Sequence, residues 1–208
     1  MTLTTNAPTT PELLAVTLPY SAELLNGMFA TALHAAKNDV TAVINAVQVG
    51  PRYFTGTDRY TVGQWEHSTE DTEGPTVLIP RPAAEWVAKQ SPKLVGPHAA
   101  LIVFAAESVT ILDADLETLA VTRFQAVQGN FPPVGRLFTD MKLAELSAPV
   151  RISPDHMDKF TKGCKKTSTV HAPFQMQATK TDNPNKPGPV LITFAGHFTG
   201  LLQPNLNK

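Results

Sequence analysis

A strand that runs straight into a helix occurs three times in this chain, starting at residues 16, 77 and 150. The copies are Val16-Thr17-Leu18-Pro19 before residues 21–29, Val77-Leu78-Ile79-Pro80 before 82–87, and Val150-Arg151-Ile152-Ser153 before 154–160. Each reads Val-x-[Leu/Ile]-[Pro/Ser], then a helix start, then apolar residues at helical spacing. Repetition at this interval points to one supersecondary unit used repeatedly. Three ordinary strand–helix junctions would give a similar pattern.

The first unit is expected over about 14–70. Its helix, 21–37, takes Ser21 as N-cap and Glu23 in the first turn, where a carboxylate suits the positive helix end. Leu25, Met28, Phe29, Ala32, Leu33 and Ala36 form a core-facing stripe. Asn26, Ala30, His34 and Lys37 fall largely off it. Strands are expected at 43–49, 53–55 and 60–66, punctuated by Gly50-Pro51 and Thr57-Asp58.

The second unit, about 75–140, has a helix over 82–90 with Pro82 at its first position. Trp86 and Val87 face inward there, and Arg81, Glu85 and Lys89 face out. Ser91-Pro92 ends it. Strands follow at 99–106, 108–112 and 119–127. Asp113, Asp115 and Glu117 read as a solvated hairpin turn. The third unit has a helix over 154–165 with Ser153-Pro154 at its start, then strands at 170–179, 189–194 and 198–203. A turn-rich loop, 181–188, separates the first two of these strands. The division expected is a flexible tail over 1–13, two units over 14–140, a polar connector over 141–148 and a single unit over 149–208. The fold class is α+β.

Charge is uneven along the chain. Residues 1–144 hold 9 Lys+Arg against 14 Asp+Glu, while 145–208 hold 8 against 4. A local basic surface on an acidic body can hold a polyanion without coating the whole molecule in it. Cys164 is the sole cysteine, which excludes an intrachain disulfide and a cysteine metal cluster and fits a reducing compartment. The first ten residues lack the basic start and apolar run of a signal peptide. No window approaches the roughly 18 apolar residues of a membrane span.

Four segments, in order, resemble the bacterial DNA polymerase sliding clamp, the beta subunit of DNA polymerase III. Val16-Thr17-Leu18-Pro19 leading to Leu24-Leu25, Met28-Phe29 and Ala32 resembles the opening of that family's middle domain. Gly56-Thr57-Asp58-Arg59-Tyr60-Thr61-Val62 resembles its Ala-Thr-Asp-Gly-x-Arg-Leu signature. Asn130-Phe131-Pro132-Pro133-Val134-Gly135-Arg136-Leu137-Phe138 resembles its Phe-Pro-Asp-Tyr-x-Arg segment. Pro189-Val190-Leu191-Ile192 with Leu201-Leu202-Gln203-Pro204 resembles the chain end. Thr61 stands where the signature carries Arg, and Asn205-Leu206 where the family ends in Met/Gly-Arg. Family chains hold six units, and this one holds three.

The resemblance implies a ring around duplex DNA, with helices lining the hole and sheets outside. Rings of this kind contain twelve units, so three units per chain imply a homotetramer. It also implies non-sequence-specific contact with double-stranded DNA, docking of a replicative DNA polymerase and a clamp loader, no cofactor, no membrane and a cytoplasmic location. The compact size would suit a virus or mobile element, with the host cytoplasm as its location. The cations on or near the three helices are Lys37, Arg81, Lys89, Lys93, Lys159, Lys162, Lys165 and Lys166, and the DNA surface is expected there. Lysine acts as a point charge on phosphate and carries little sequence information. By position, a groove for short peptides would be lined by Thr57, Tyr60, Val62, Pro132, Arg136, Leu137, Leu201, Leu202 and Pro204. Apolar side chains there supply burial and a few polar groups fix register.

An enzyme is not expected. His34, His67, His98, His156, His171 and His197 show no metal-ligand spacing. Cys164 has lysines nearby but no evident base, and no Gly-rich phosphate loop occurs. A non-ring adaptor or decoy that keeps the peptide groove, and a small-ligand hydrolase in an unfamiliar fold, are the alternatives.

Overall fold

The computed structural model describes residues 15–69, 73–141, 151–167, 173–181 and 187–204. The tail over 1–13, nearly all of the connector, Val150, His171 and Asn205-Leu206 lie outside the described residues, as does most of the 181–188 loop. In chain order the elements are β1 (Ala15–Pro19), α1 (Ala22–Ala32), a 3-10 turn (Ala42–Asn45), β2 (Ala46–Val49), β3 (Tyr53–Thr57) and β4 (Thr61–Glu66). Next come β5 (Val77–Pro80), α2 (Arg81–Lys89), α3 (Pro92–Val95), β6 (Ala99–Ala105), β7 (Ser108–Asp113), β8 (Thr118–Arg123) and α4 (Gly135–Thr139). The chain continues with α5 (Pro154–Thr167), β9 (Gln175–Ala178), β10 (Val190–Phe194) and β11 (Phe198–Leu202).

The strands form two antiparallel sheets, β1-β6-β7-β8 and β5-β2-β3-β4-β11-β10-β9. The first two opening strands cross over. β1 leaves the first unit to pair with β6, and β5 leaves the second to pair with β2. The two units therefore share one core, in which Val16, Leu18, Val77 and Ile79 from the opening strands are buried. The third copy of the motif differs. Arg151, Ile152 and Ser153 form no strand, and among the described residues no partner strand lies beside this segment.

α1 starts where Ser21 Oγ accepts from the Leu24 amide at 3.0 Å. It ends at Ala32, five residues short of the expected 37. Beyond it the amides turn elsewhere: His34 N–H donates to Thr31 O and Ala36 N–H to Ile44 O. Asp39 and Asn45 bond to each other across the following turn and hold the chain away from the helix. Ala30 and His34, expected off the core stripe, are fully buried. α1 packs against the sheet, α2 and α5 together, so its buried face is wider than one stripe. Arg81, expected to face out, keeps only 11% of its side chain exposed. Its Nη1 donates to the carbonyl of Ala35 just past the end of α1, one of the acceptors a helix terminus leaves over. Trp86 and Val87 do pack inward. The Asp113 turn is as expected, with its carboxylate accepting from the amides of Asp115 and Glu117.

The third unit joins the first through strand pairing of β11 with β4. Phe198 lies opposite Trp65, Gly200 opposite Gly63 and Leu202 opposite Thr61. The two facing glycines make room for rings. A Cβ on Gly63 would sit 2.3 Å from the His34 ring, and one on Gly200 would sit 2.5 Å from Phe160. His34, Phe160 and Phe198 fill that space, with ring centroids 4.6 and 5.5 Å from His34. Among the described residues no helix is long and apolar enough to cross a membrane.

Candidate functional site

The three longer helices lie side by side, α2 and α5 each packed against α1. The cations expected to meet DNA sit on or just after them. Lys37, Lys89, Lys93, Lys162, Lys165 and Lys166 are exposed. The other two are tied down. Arg81 bonds Ala35 O and pairs with Glu85. Lys159 pairs with Asp58, with 21% and 14% of the two side chains exposed.

That last pair anchors a cleft of about 520 Å³ between the end of α1 and the start of α5. Its wall holds Lys37, Arg81, Lys159 and Lys162, balanced by Asp39, Asp58, Asp155 and Asp158. The charges are partnered locally: Lys162 with Asp158 on its own helix, and Asp39 with Arg59 at 2.8 Å. Asp58 organises the turn as well. Its Oδ1 accepts from the amides of Tyr60 and Thr61 and from the Thr61 hydroxyl, at 2.8–3.2 Å. Burial by itself pushes the Asp58 carboxyl up. The hydrogen bond and charge of Lys159, with the Thr61 donors, outweigh burial and hold it below the usual range. His34 lies beneath this cluster, fully buried, with its pKa lowered to about 3 by burial first and then by the Lys159 charge. The cleft is a joint between the first and third units, closed also by Tyr60 stacked on His156 at 5.2 Å.

Sequence reasoning missed Asp58 as the partner of Lys159. The pair is 101 residues apart, and nothing local marks it.

The opposite face of the sheet carries three of the residues expected to form a peptide groove. Thr57, Val62 and Leu201 lie side by side across β3, β4 and β11, and Leu191 on β10 continues the row. Val62 and Leu201 are only 6% and 4% exposed. Pro204 is buried too, just past β11. Leu202 is also fully buried but points to the other face, because it alternates with Leu201 and shares the side of Phe198 and Gly200. Tyr60, 59% exposed, belongs to the joint. Pro132 is half-buried, and Arg136 and Leu137 are exposed on α4. The chain just before them, 126–131, runs beside Gln48 and Leu78.

No family model matches the sequence, and no curated protein does. Solved structures do match. The DNA polymerase III beta subunit of Thermotoga maritima superposes with a TM-score of 0.59 at 15% identity, over 97% of this chain and 68% of that one. A sliding clamp from Pseudomonas aeruginosa gives 0.62 at 12% identity over 97% and 68%. The DNA polymerase sliding clamp from Bacillus subtilis gives 0.59 at 12% over 98% and 67%. This chain therefore spans about two thirds of the length of these clamps, and nearly all of it superposes on them. The crossed opening strands, the helix row and the sheet that runs on through the third unit are thus one known architecture: the chain has the mixed α+β fold of the DNA polymerase III beta subunit, the sliding clamp.

Proposed function

We propose that this protein is a DNA sliding clamp: copies join into a ring that encircles duplex DNA, and the outer face of the sheet tethers a replicative polymerase. The observation that carries this reading is the row of three helices on one side of a sheet continuous from the first unit into the third, in a chain that superposes on clamps over 97% of its length. Such a wall curves helices toward a duplex and turns strands away from it.

On this reading the DNA contacts come from the exposed Lys37, Lys89, Lys93, Lys162, Lys165 and Lys166. Arg81 and Lys159 shape the wall from behind. Lysines on mobile stems suit sliding, since each touches phosphate without fixing a register. Three units per chain make four chains the natural closure, with a clamp loader opening the ring. The role is mechanical and needs neither a cofactor nor catalysis. Peptide docking falls on this outer face, where Thr57, Val62, Leu201 and Pro204 form a buried floor rather than the contact surface itself.

The test lets the protein thread onto linear nicked duplex DNA, part of which is then closed into circles by ligation. A ring stays on the circle through gel filtration and slides off the linear form. Equal loss from both would refute encirclement.

A further inference from the structure

Two positions in this fold are filled by exchange, and a third is left open. β1 pairs with the first strand after α2, namely β6, and β5 pairs with the first strand after α1, namely β2. The third unit has the same parts. Its first strand after the helix is β9, which ends the seven-stranded sheet, and among the described residues nothing pairs with its outer edge. Its opening segment, Arg151-Ile152-Ser153, matches Leu78-Ile79-Pro80 in position before the helix and, among the described residues, pairs with no strand. A vacant edge and an unpaired segment therefore sit in one unit, and they are the two halves of the contact that the other units make reciprocally.

We propose that two copies of this chain complete each other here, the opening segment of each adding antiparallel to β9 of the other. The register follows from the sheet. Met176 lies opposite Ile192 on β10, so it faces the helix side, where Ile192 is fully buried. Yet Met176 is 38% exposed. An apolar side chain at a core-facing position is uncovered because, among the described residues, no strand lies beyond β9. In the exchanged pair Ile79 lies opposite the buried Val47. The same rule sets Ile152 of one copy opposite Met176 of the other, and Arg151 opposite Gln177. A shift by one residue would turn Ile152 to the outside, so burial selects this register. The β9 sequence, Gln-Met-Gln-Ala, has no charge or proline, the usual guards of an edge meant to stay free. The contact is isologous and closes on a two-fold axis. This deepens the ring reading by naming one of its joints, though the joint itself does not depend on DNA.

Cross-linking tests it on the full chain. In a Cys164→Ala background, a chain with Arg151→Cys is mixed with one carrying Gln177→Cys and oxidised. Both sites are exposed. The expected result is a disulfide-linked pair of chains, absent when Glu107→Cys replaces Arg151→Cys. Met176→Glu, in a chain shown by circular dichroism to be folded, lowers the mass seen by light scattering. The exchange is overturned by a missing cross-link, by a disulfide within one chain carrying both cysteines, or by an unchanged mass for Met176→Glu. Retention on circular DNA without the cross-link removes the exchange and leaves the ring; the cross-link without retention does the reverse.

Discussion

Both ring nitrogens of His34 are buried without a hydrogen-bond partner among the described residues. An unsatisfied buried polar atom costs about 1–3 kcal/mol, and a proton there would add charge beside Lys159 and Arg81. The ring therefore stays neutral, with its pKa lowered to about 3. In the unfolded chain the same histidine takes up a proton near its ordinary value of 6.5. Below that pH the unfolded state binds more protons, so stability is full above it and falls as the pH drops toward 3. The slope reaches about 1.4 kcal/mol per pH unit for one such group. His67, lowered by burial, acts in the same direction. His34→Phe keeps a ring in the slot and removes the charge problem. Its expected melting temperature at pH 7 matches or exceeds the parent's, and its loss of stability between pH 6.5 and 4.5 is shallower. Parallel melting curves over that range would show that His34 does not titrate on unfolding. Asp58 gives a second check at this scale. Asp58→Asn leaves the Lys159 ammonium half-buried without its carboxylate and is expected to cost about 2 kcal/mol. A double-mutant cycle with Lys159→Met should return a coupling energy of similar size; a value near zero would mean the pair is ornamental.

The seam between β4 and β11 depends on absent side chains. Gly63→Ala drives a methyl into the His34 ring, and Gly200→Ala drives one toward Phe160 and the backbone oxygen of Val62. Each is expected to destabilise by about 1–3 kcal/mol, as overpacking of a filled core does. Gly200→Ala should be the worse, because backbone yields less than a ring. Unfolding in urea would measure both, and wild-type midpoints would mean that the sheets separate easily. Much of this architecture can be read from the sequence, and the reasons for the failures are physical. Strand–helix junctions at 16–29 and 77–87 were legible because Ser21, Pro80 and Pro82 act locally. The end of α1 was not, since Ala36 bonds to Ile44 rather than continuing the helix. Nor was the crossing of β1 and β5, which no local pattern encodes. The run of lysines toward the end of α5 is plain in the sequence. Which lysines stay free is not, because Asp58 and Ala35 reach Lys159 and Arg81 from distant elements. Leu201 and Leu202 look alike in sequence, and only strand alternation sends them to opposite faces.

For the assembled molecule, these assignments separate cations that would touch DNA from cations that hold the wall together. Duplex binding by a lysine surface releases counterions, so the logarithm of affinity falls linearly with the logarithm of salt, by about 0.9 per phosphate contact. Lys165 and Lys166 are exposed at the C-terminal end of α5. Replacing both with Gln is expected to lower that slope by about 2 and to leave the melting temperature unchanged. Lys159→Gln should do the opposite, leaving the slope and lowering the melting temperature, since its ammonium already belongs to Asp58. Titrations on duplex DNA from low to moderate salt, paired with thermal melts, test both at once. If Lys159→Gln changed the slope and the double replacement did not, the positive wall would lie in the cleft at the joint. The cleft's four carboxylates would then have to move aside for phosphate, and the helix row would lose its place as the surface that faces the duplex.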